Sequence, residues 1–373
     1  MSSRRKVLFY TEGWGNGGIE SFITNAINAV GVEDFDFSIF CTHDAPSVFD
    51  DNLCQLKVPR FVVFKGWKPG LGRRFLESTR EWGRLLASDR YDVVHINTMN
   101  GMGFVYAAIA KRYNVPVRIV HSHNTHFGQG LRLVKDIAHF MGRQLWGGCA
   151  NRCLACSTEA GEYLFGERPF EVLRNAINID RFRFSLPARE RMRCELGIMD
   201  NEVLVGNIGR LSEAKNPVFQ LEVFAEFRRN NPCARYLMVG NGELESEVDE
   251  AIMRLDIGEL VLRKASTPQP EKYLWALDAF LMPSSFEGLS MACVEAQCAG
   301  LPLLVSEGVS QEIELTDLVC RCSLEEDLSV WTAKLTDLLA TSDDRCSYAD
   351  EVARAGYSLR DMNSNLRQVY AVV

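Results

Sequence analysis

Two glutamates separated by seven residues, Glu287 and Glu295, flank the predicted start of a helix. The apolar run 279–282 predicts a strand, and helix-forming residues follow from about Ser290 until a Gly-Leu-Pro stretch ends them. The unbonded amides at a helix start attract anions. We therefore expect a diphosphate to rest on the amides of 288–291, with each carboxylate accepting hydrogen bonds from hydroxyl groups beside it. This layout suits a sugar nucleotide; the alternative is two glutamates on a solvated surface.

A second candidate loop carries two cations. The segment 203–208 predicts a buried strand, and Asn216 followed by Pro217 predicts the capped start of the next helix. Arg210 and Lys215 therefore share a loop at the carboxyl end of a strand. A guanidinium fork and an ammonium group there could neutralise a leaving diphosphate. Either cation alone fits an ordinary surface residue, but their shared loop favours the functional interpretation.

A glycine-rich loop follows the first predicted strand, 7–10. Residues 13–18 match the G-x-G-x-x-G pattern of dinucleotide sites, in which glycines let a ligand approach the backbone closely. That pattern also needs an acidic residue at the end of the second strand, and Asp44 comes late for this role. We therefore interpret Gly17 and Gly18 as part of a general ligand-facing loop, with a nicotinamide dinucleotide site as the alternative.

Three of the six histidines lie in one loop after the predicted strand 117–120. On an extended segment, His121 and His123 would share one side and His126 would lie on the other. No carboxylate closely accompanies them, so a catalytic or substrate-orienting imidazole at the strand end is favoured over a metal site. For His95, which follows another predicted strand, a structural or substrate-lining role is an alternative to chemistry.

Together these motifs resemble the retaining glycosyltransferases of the GT-B fold in glycosyltransferase family 4. The resemblance extends over nearly the whole chain, and the stretch from Glu287 to Glu295 is its most specific element. At that stretch and at 304–306, the chain is also similar to bacterial enzymes that assemble capsular or exopolysaccharide repeat units. The other segments that carry the resemblance are Gly17-Gly18-Ile19-Glu20, Asp92-Val93-Val94-His95, His123, Asn175-Ala176-Ile177-Asn178, Gly209-Arg210 with Lys215, and Val239-Gly240-Asn241-Gly242.

The resemblance implies an α/β chain of GT-B architecture, with two Rossmann-like domains whose parallel sheets face an interdomain cleft. Strand-like and helix-like segments alternate from 6 to 306, which independently favours parallel sheets with helical crossovers. We expect residues 1–180 to bind the acceptor and residues 181–355 to bind the nucleotide sugar. Residues 356–373 are expected to form a helix that crosses back to the first domain.

By the same resemblance, the expected reaction is transfer of a hexosyl unit from a nucleoside diphosphate sugar, expected to be a UDP sugar, with retained anomeric configuration. The acceptor would be a hydroxyl group of a glycan or a polyprenyl-diphosphate-linked saccharide in cell-surface polysaccharide synthesis. Arg210 and Lys215 would stabilise charge on the β-phosphate. Glu287 would hold the donor sugar, and Glu295 the ribose. His123 would contact the sugar or the leaving phosphate.

Neither a resident cofactor nor a metal ion is expected, because cations and backbone amides can neutralise the diphosphate. The Asp-Phe-Asp triplet 34–36 matches a metal-binding pattern of other transferases, but it opens a strand of the first domain, which disfavours that role. The donor-binding backbone positions are expected to be Gly17, Gly18, Gly209, Gly242, Gly288, Leu289, Ser290 and Met291.

Two departures from the family pattern bear on the site. Where the family has Asn-Gly-Ile-Asp at the start of its second domain, this chain has Ala176 and Asn178. The strand that ends near 262–266 lacks the glycine that relatives commonly carry near the nucleobase. These residues therefore leave the identity of the base open.

Composition agrees with two globular domains: the chain has 373 residues, of which 47% are hydrophobic. No apolar run reaches the roughly 18 residues that span a bilayer, and the basic start leads into a strand without a cleavage signal. We therefore expect a cytoplasmic protein. The 12 cysteines are scattered, and Cys149, Cys153 and Cys156 fit a helix end and a strand better than a zinc site.

Charge is divided unevenly along the chain: residues 1–183 carry +5 and residues 184–373 carry −13. Nucleic acid is a poor partner for so acidic a protein, and none is expected. The basic half contains the segment 57–90, in which nine basic and three acidic residues are interleaved with aromatic ones.

A predicted helix near 71–86 would place Phe75, Trp82 and Leu86 on one side, with its arginines elsewhere. Such a helix suits an anionic membrane surface or a lipid diphosphate, and so predicts peripheral attachment to the inner face of the cell membrane. The alternative is an ordinary surface helix whose aromatic stripe lies in the core.

Two other classes of function stay open from the sequence. A nicotinamide-dependent oxidoreductase would use the first glycine loop but would leave the two cations and the glutamate pair without a role. A non-catalytic scaffold of the same fold would bind a lipid-linked sugar without transferring it.

Overall fold

The computed structural model describes residues 4–123, 132–340 and 344–371, which form two compact units. The first unit comprises Met1–Ala176 and Tyr357–Val373, and the second comprises Ile177–Gly356. The unit boundary lies at 176/177, where the Ala176 that departs from the family pattern is buried.

The first unit is built on one parallel sheet of seven strands within the described residues. The strands are β1 (Arg5–Trp14), β2 (Phe35–Asp44), β3 (Arg60–Phe64), β4 (Val93–Thr98), β5 (Val117–Ser122), β6 (Arg152–Ala155) and β7 (Glu171–Val172). Their order across the sheet is β3-β2-β1-β4-β5-β6-β7. Strands β2 and β3 are thus added on one side of β1 and strands β4 to β7 on its other side, which places a topological switch between β1 and β4. Open α/β sheets bind ligands at the carboxyl ends of strands near such a switch.

The second unit repeats this design with a parallel sheet of six strands in the part of the chain that is described. The strands are β8 (Val203–Ile208), β9 (Ala234–Val239), β10 (Val261–Lys264), β11 (Ala279–Met282), β12 (Leu303–Ser306) and β13 (Val319–Cys322). The order is β10-β9-β8-β11-β12-β13, with the switch between β8 and β11. The strands predicted at 203–208 and 279–282 are confirmed with the same bounds.

Helices connect successive strands and cover both faces of each sheet, as parallel pairing requires. The helices are α1 (Gly18–Val30), α2 (Asp50–Gln55), α3 (Leu71–Ser88), α4 (Gly103–Arg112), α5 (Arg132–Trp146), α6 (Thr158–Phe165), α7 (Ile179–Phe182), α8 (Leu186–Leu196), α9 (Pro217–Asn230), α10 (Glu245–Arg254), α11 (Pro270–Ala276), α12 (Met291–Cys298), α13 (Leu328–Leu339), α14 (Tyr348–Val352) and α15 (Leu359–Val369). None of the described helices is long and apolar enough to cross a bilayer.

Helix α3 shows which of the two predictions for the basic aromatic segment holds. Trp82 and Leu86 are buried, and Phe75 packs against the same cluster. The Trp82 indole donates a hydrogen bond to the Tyr106 carbonyl at 3.1 Å. The aromatic stripe of α3 therefore lies in the core of the first unit and is not available to a membrane.

The last helix, α15, completes the core of the first unit. Met362, Leu366, Val369 and Tyr370 are buried and share one apolar cluster with α1 and the strands beside it. The Ser358 side chain caps the helix by accepting the Asp361 amide at 3.1 Å. The first unit is thus assembled from both ends of the sequence.

We predict that Leu366→Ala lowers the free energy of unfolding by about 2–5 kcal/mol, because it opens a cavity in a fully buried cluster. Urea unfolding of the full chain measures this change. The control is Gln368→Ala, two residues away on the exposed side of the same helix, which should change stability by less than about 0.5 kcal/mol. Equal effects of the two substitutions would show that α15 does not contribute to the core.

Candidate functional site

The loop between β11 and α12 is held on both sides by backbone hydrogen bonds. The Ser285 amide donates to the Ala214 carbonyl at 2.9 Å. The Glu287 amide donates to the Gly308 carbonyl at 2.8 Å, and the Glu287 carbonyl accepts the Ser310 amide at 3.0 Å. The loop is therefore fixed between the segment that carries Lys215 and the loop after β12.

Lys215 and Glu287, predicted from two separate motifs, form an ion pair in the structure. The Lys215 Nζ lies 2.5 Å from a carboxylate oxygen of Glu287, and both side chains are mostly buried. Lys215 ends a short 3₁₀ turn, Glu213–Lys215, at the carboxyl end of β8. Because the carboxyl ends of neighbouring parallel strands share one sheet edge, residues 72 positions apart meet here.

Helix α12 begins without a side-chain cap. The N-cap residue Ser290 makes no capping hydrogen bond, and its Oγ lies 3.3 Å from the Met282 sulfur. The first helical amide with a partner is that of Cys293, which donates to the Ser290 carbonyl. Within the described residues, the five amides of 288–292 therefore have no protein acceptor, and together with the helix dipole they form an anion-binding start.

Glu295 lies one turn further along α12 and is half-buried. Burial raises the pKa of its carboxyl group to about 8, the Arg181 cation lowers that pKa, and the Glu271 carboxylate raises it. Arg181 cannot neutralise Glu295 fully, because its guanidinium is paired with Glu271 at 2.6 Å. Among the described residues, no group makes a hydrogen bond to the Glu295 carboxyl, which leaves it open to a ligand.

Arg210 does not join Lys215. Its Nε donates to Glu243 at 3.0 Å, and both side chains are exposed. Asn216 occupies the expected N-cap position of α9, but it adopts a left-handed conformation and makes no side-chain cap, so the prediction of a side-chain cap was wrong. The turn at Asn216 directs the chain from Lys215 into α9 by backbone geometry.

The glycines at the ends of β8 and β9 allow two loops to touch. A Cβ on Gly240 would lie 1.9 Å from the Gly209 carbonyl oxygen, and one on Gly242 would lie 2.1 Å from that of Leu211. Gly240 also has a φ of 144°, which favours glycine. The Gly242 amide donates to the Glu245 side chain at 3.2 Å. Gly242 therefore has a structural role in loop packing. Gly288, by contrast, faces open space.

The first glycine loop is shorter than predicted, because β1 continues through Gly13 to Trp14. Burial raises the pKa of the Glu20 carboxyl group, and hydrogen bonding by the backbone of Glu20, Gly17 and Gly15 lowers it. A Cβ on Gly17 would lie 2.5 Å from a Glu20 carboxylate oxygen, whereas Gly18 faces open space. The start of α1 is therefore already occupied by an internal anion.

Asp44, the acidic residue that a dinucleotide site would require, is engaged as well. It accepts the Gly66 amide at 2.8 Å and lies 3.8 Å from the Arg60 guanidinium. The nicotinamide alternative needs a free helix start and a free acidic residue. Both the start of α1 and Asp44 instead interact with other groups of the protein.

Three histidines cluster at β4 and β5: His95 and His121 are fully buried, and His123 is partly buried. The rings of His121 and His123 lie on one side, with centroids 4.0 Å apart, as the extended segment predicts. His95 Nε2 contacts His121 Nδ1 at 3.1 Å, and His95 Nδ1 contacts the Tyr370 hydroxyl at 3.0 Å. Burial lowers the pKa of all three imidazoles, that of His123 to about 3, so they are neutral.

The metal alternative for this loop depended on a third histidine, His126, which lies outside the described residues. Among the residues that the structure does describe, no group of three candidate ligands could hold a metal ion. His95 and His121 instead use ring nitrogens on each other.

Sequence reasoning missed the residue that fixes the loop after β12. The Arg321 guanidinium donates to the carbonyls of Ser306, Val309 and Ser310 at 3.2, 2.7 and 3.0 Å, respectively. These are the residues around Gly308, whose carbonyl holds the Glu287 amide. A single arginine in a strand carries no sequence signal for this role, since only the fold brings it beneath the loop.

Two family models match the chain in succession. Residues 16–181 match the model described as Glycosyltransferase Family 4, and residues 188–322 match the model described as glycosyl transferases group 1. The first match covers most of the sequence of the first unit, and the second match lies within the second unit.

Relatives and solved structures extend over the same length. EpsF of Bacillus subtilis (strain 168), which carries a glycosyltransferase name, is 27% identical over all of this chain and 97% of its own. The Escherichia coli UDP-Gal:alpha-D-GlcNAc-diphosphoundecaprenol alpha-1,3-galactosyltransferase is 24% identical over 74% of this chain and 72% of its own. Anabaena Alr3699/HepE in complex with UDP-glucose has a TM-score of 0.76 at 19% identity, covering 97% of this chain and 98% of that one.

The two-sheet fold is the GT-B fold, as its solved neighbours show. With the two successive model matches, it identifies the chain as a glycosyltransferase of the GT-B class.

We predict that Glu295→Gln stabilises the protein at pH 8 by on the order of 1–3 kcal/mol and has little effect near pH 4.5. The pKa of Glu295 in the folded protein, about 8, lies above the ordinary value of 4.5 for a glutamate. The native state therefore binds more protons than the unfolded state between these values, so the wild type loses stability as pH rises through this range. Urea unfolding at several pH values measures the difference. The control is Glu250→Gln, an exposed residue of the same unit; equal pH slopes for all three proteins would contradict the prediction.

Proposed function

We propose that the chain transfers a hexosyl unit from a UDP sugar to a hydroxyl group of a glycan or lipid-linked saccharide, with retained anomeric configuration. The observation that best supports this proposal is the arrangement of groups at the start of α12. Five unbonded amides lie there between the Lys215–Glu287 ion pair and the open Glu295 carboxyl group. A nucleoside diphosphate sugar offers the complementary groups in the same order: sugar, diphosphate and ribose.

The diphosphate would bind at the positive start of α12. Its oxygens would accept the amides of 288–292, and Lys215 would supply the positive charge that the departing β-phosphate needs. The ion pair with Glu287 holds the Lys215 ammonium group in place before the donor arrives. Arg210, exposed and paired with Glu243, would turn to the phosphates when they bind. Cations and amides would do the work that a metal ion does in other transferases.

The two glutamates would hold the hydroxyl groups on either side of the diphosphate. Glu287 would accept from the donor sugar, and Glu295 from the ribose. Ribose hydroxyls donate to a carboxylate more strongly than to a neutral carboxyl group. Since the pKa of Glu295 is about 8 without a ligand, donor binding would release a proton from it near neutral pH.

The transfer step would need no covalent enzyme intermediate. The bond between the sugar C1 and the β-phosphate oxygen breaks, the bond from C1 to the acceptor oxygen forms on the same face, and the acceptor proton passes to the leaving phosphate. His123, neutral and with a pKa of about 3, is a poor general base at neutral pH. It would orient a substrate group by hydrogen bonding.

Two relatives support the identity of the substrates. The Anabaena structure is a complex with UDP-glucose, and the Escherichia coli relative is named for a UDP-Gal donor and a diphosphoundecaprenol acceptor. We therefore propose a UDP sugar as donor and a polyprenyl-diphosphate-linked saccharide as acceptor in cell-surface polysaccharide synthesis, at the cytoplasmic side of the membrane.

Helix α5 supplies a surface for such membrane attachment. Ile137, Phe140, Met141 and Leu145 are exposed on it, and Phe140 and Leu145 keep 62% and 61% of their surface. Their spacing of three, four and eight residues places them on one side of the helix. An apolar stripe of this kind buries itself in the interface of a bilayer without crossing it.

The other side of α5 is fixed, so the stripe cannot turn inward. His139 Nδ1 accepts the Gly101 amide at 3.1 Å. A Cβ on Gly142 would lie 2.2 Å from the Gly101 carbonyl oxygen, so the two backbones are in direct contact.

Charge favours an anionic lipid surface as the occupant of this stripe. Helices α3, α4 and α5 pack in succession and together carry nine basic and three acidic residues. A second copy of the chain, related by a twofold axis on this face, would instead bring like charges together.

A scaffold that binds the nucleotide sugar without transferring it is the competing function. The scaffold would need the same residues to bind the nucleotide sugar. Only a measurement of sugar transfer therefore distinguishes it from the proposed enzyme. The nicotinamide-dependent oxidoreductase is disfavoured by Glu20 and Asp44, which are engaged within the protein.

We predict that the wild type releases UDP from one UDP sugar in the presence of membrane extract, and that Lys215→Ala lowers this rate by about 100-fold or more. The reason is the loss of the charge that stabilises the leaving β-phosphate. A panel of UDP, GDP and ADP sugars in a nucleotide-release assay measures the rate, and NMR of the product gives its anomeric configuration.

The control for this experiment is Lys272→Ala, an exposed lysine of the same unit, which should keep the wild-type rate within about twofold. Tight UDP binding with no release in any protein would support the scaffold. An inverted product would refute the retaining mechanism, and release of GDP or ADP alone would refute the UDP donor.

We also predict that the double substitution Phe140→Glu and Leu145→Glu weakens binding to phosphatidylglycerol-containing vesicles at least about tenfold. The added carboxylates oppose both burial in the interface and the anionic headgroups. Vesicle co-sedimentation at low and high salt measures binding, with phosphatidylcholine vesicles as the neutral reference. Met253→Glu, at an apolar residue of the second unit that is 72% exposed, should bind like the wild type. Unchanged binding of the double variant would exclude α5 as the contact.

A further inference from the structure

Asn97, at the end of β4, has an orientation that its surroundings determine. Its Nδ2 donates to the Tyr10 carbonyl at 3.1 Å and lies 3.4 Å from the His95 carbonyl. Carbonyl groups only accept hydrogen bonds, so the nitrogen of the Asn97 amide must face them. The Oδ1 atom therefore points the other way, where it lies 2.8 Å from His123 Nε2.

This orientation decides which nitrogen of His123 carries the proton. Oδ1 of an amide is an acceptor, so His123 Nε2 must be the donor in the 2.8 Å contact. Because burial keeps the imidazole neutral, it holds one proton, and Nδ1 is left with a lone pair. In the part of the chain that the structure describes, no donor reaches Nδ1.

Packing prevents the His123 ring from exchanging its two nitrogens. The ring lies against Phe22, with centroids 5.0 Å apart, and against His121 at 4.0 Å. His121 is fixed in turn by its contact with His95. Its backbone is fixed as well, since the His123 amide donates to the Thr98 carbonyl at 3.2 Å. Asn97, itself buried, thus holds the Nε2 atom of a ring whose position is already fixed.

We propose that Asn97 is a positioning residue that fixes His123 as a neutral hydrogen-bond acceptor, with Nδ1 presented to a substrate hydroxyl group. The assignment excludes the two other uses of this imidazole, a charged partner for phosphate and a proton donor through Nδ1. It rests on the proposed function only for the identity of the hydroxyl group, which would belong to the donor sugar or to the acceptor. The tautomer itself is a property of the protein without substrate.

The other titratable groups around His123 agree with this assignment. His95 and His121 are buried and neutral, and the Tyr370 hydroxyl that contacts His95 is also buried, which raises its pKa. The neighbouring side chain on the remaining side is the apolar Phe22. Among the described residues packed on this ring, none brings a negative charge that would favour the imidazolium.

Long-range ¹H–¹⁵N NMR of the full chain labelled with ¹⁵N-histidine tests the tautomer directly, and six histidines make the spectrum assignable. We expect His123 in the unliganded wild type to show a protonated Nε2 and an unprotonated Nδ1 across about pH 6 to 8. In Asn97→Ala, we expect signals of both tautomers and a kcat/KM for sugar transfer that is lower by about 10- to 100-fold. A protonated Nδ1, an imidazolium, or an unchanged tautomer in Asn97→Ala would overturn the proposal.

Asn151→Ala is the matched control for loss of an amide bridge in the same unit. The Asn151 Nδ2 donates to the Pro116 carbonyl at 2.7 Å, and its Oδ1 accepts the Arg118 amide at 2.7 Å, at the opposite end of β5. This variant should leave the His123 signals unchanged. Should Asn97→Ala fail to fold, the wild-type spectrum alone still decides the tautomer. A wild type with the expected tautomer but no transfer with any sugar would refute the proposed function and leave the role of Asn97 in setting the tautomer intact.

Discussion

A parallel strand that turns directly into a helix leaves backbone amides without protein acceptors, and the second unit is organised around such a helix start. Five amides at the beginning of α12 lack partners in the described structure. The loop before them is fixed by the Ala214 and Gly308 carbonyls, so the amides cannot rearrange to find other acceptors. The positive potential at this point requires an anion, and Lys215 adds to it. Glu287 and Glu295 are candidate ligand-binding residues because they lie on either side of this helix start.

Each of the two units keeps candidate functional groups in states that cost stability. The Glu295 carboxyl group is half-buried without a hydrogen-bond partner among the described residues, and burial raises its pKa to about 8. His95, His121 and His123 of the first unit are held neutral by the same effect, and the Nε2 atom of His121 is buried without a partner among the described residues. Polar groups in such surroundings are unfavourable for folding, and they cluster at functional sites because a ligand can satisfy them.

The two units solve the same structural problem differently. At α12 the helix start is left open, whereas at α1 the Glu20 carboxylate fills it. A glycine-rich loop is therefore not sufficient evidence for a phosphate site: the side chain three residues after Gly17 decides whether the amides are available. The glycines at 240 and 242 show a third use, since they allow two backbone loops to touch. The same residue type thus serves anion binding, internal capping and close packing in one chain.

The sequence by itself determined the strands β8 and β11 and the parallel α/β class, and it predicted Lys215, Glu287 and Glu295 as candidate site residues. These follow from local patterns: a buried apolar run, a break, and a polar residue at the strand end. Only the tertiary structure decided how these residues pair, since sheet order places β8 beside β11 and so brings Lys215 to Glu287. It also separated Arg210 from Lys215, turned the aromatic stripe of α3 into the core, and revealed Arg321 and Asn97. These contacts join strands distant in sequence, and their strength depends on distances and burial that no local pattern encodes.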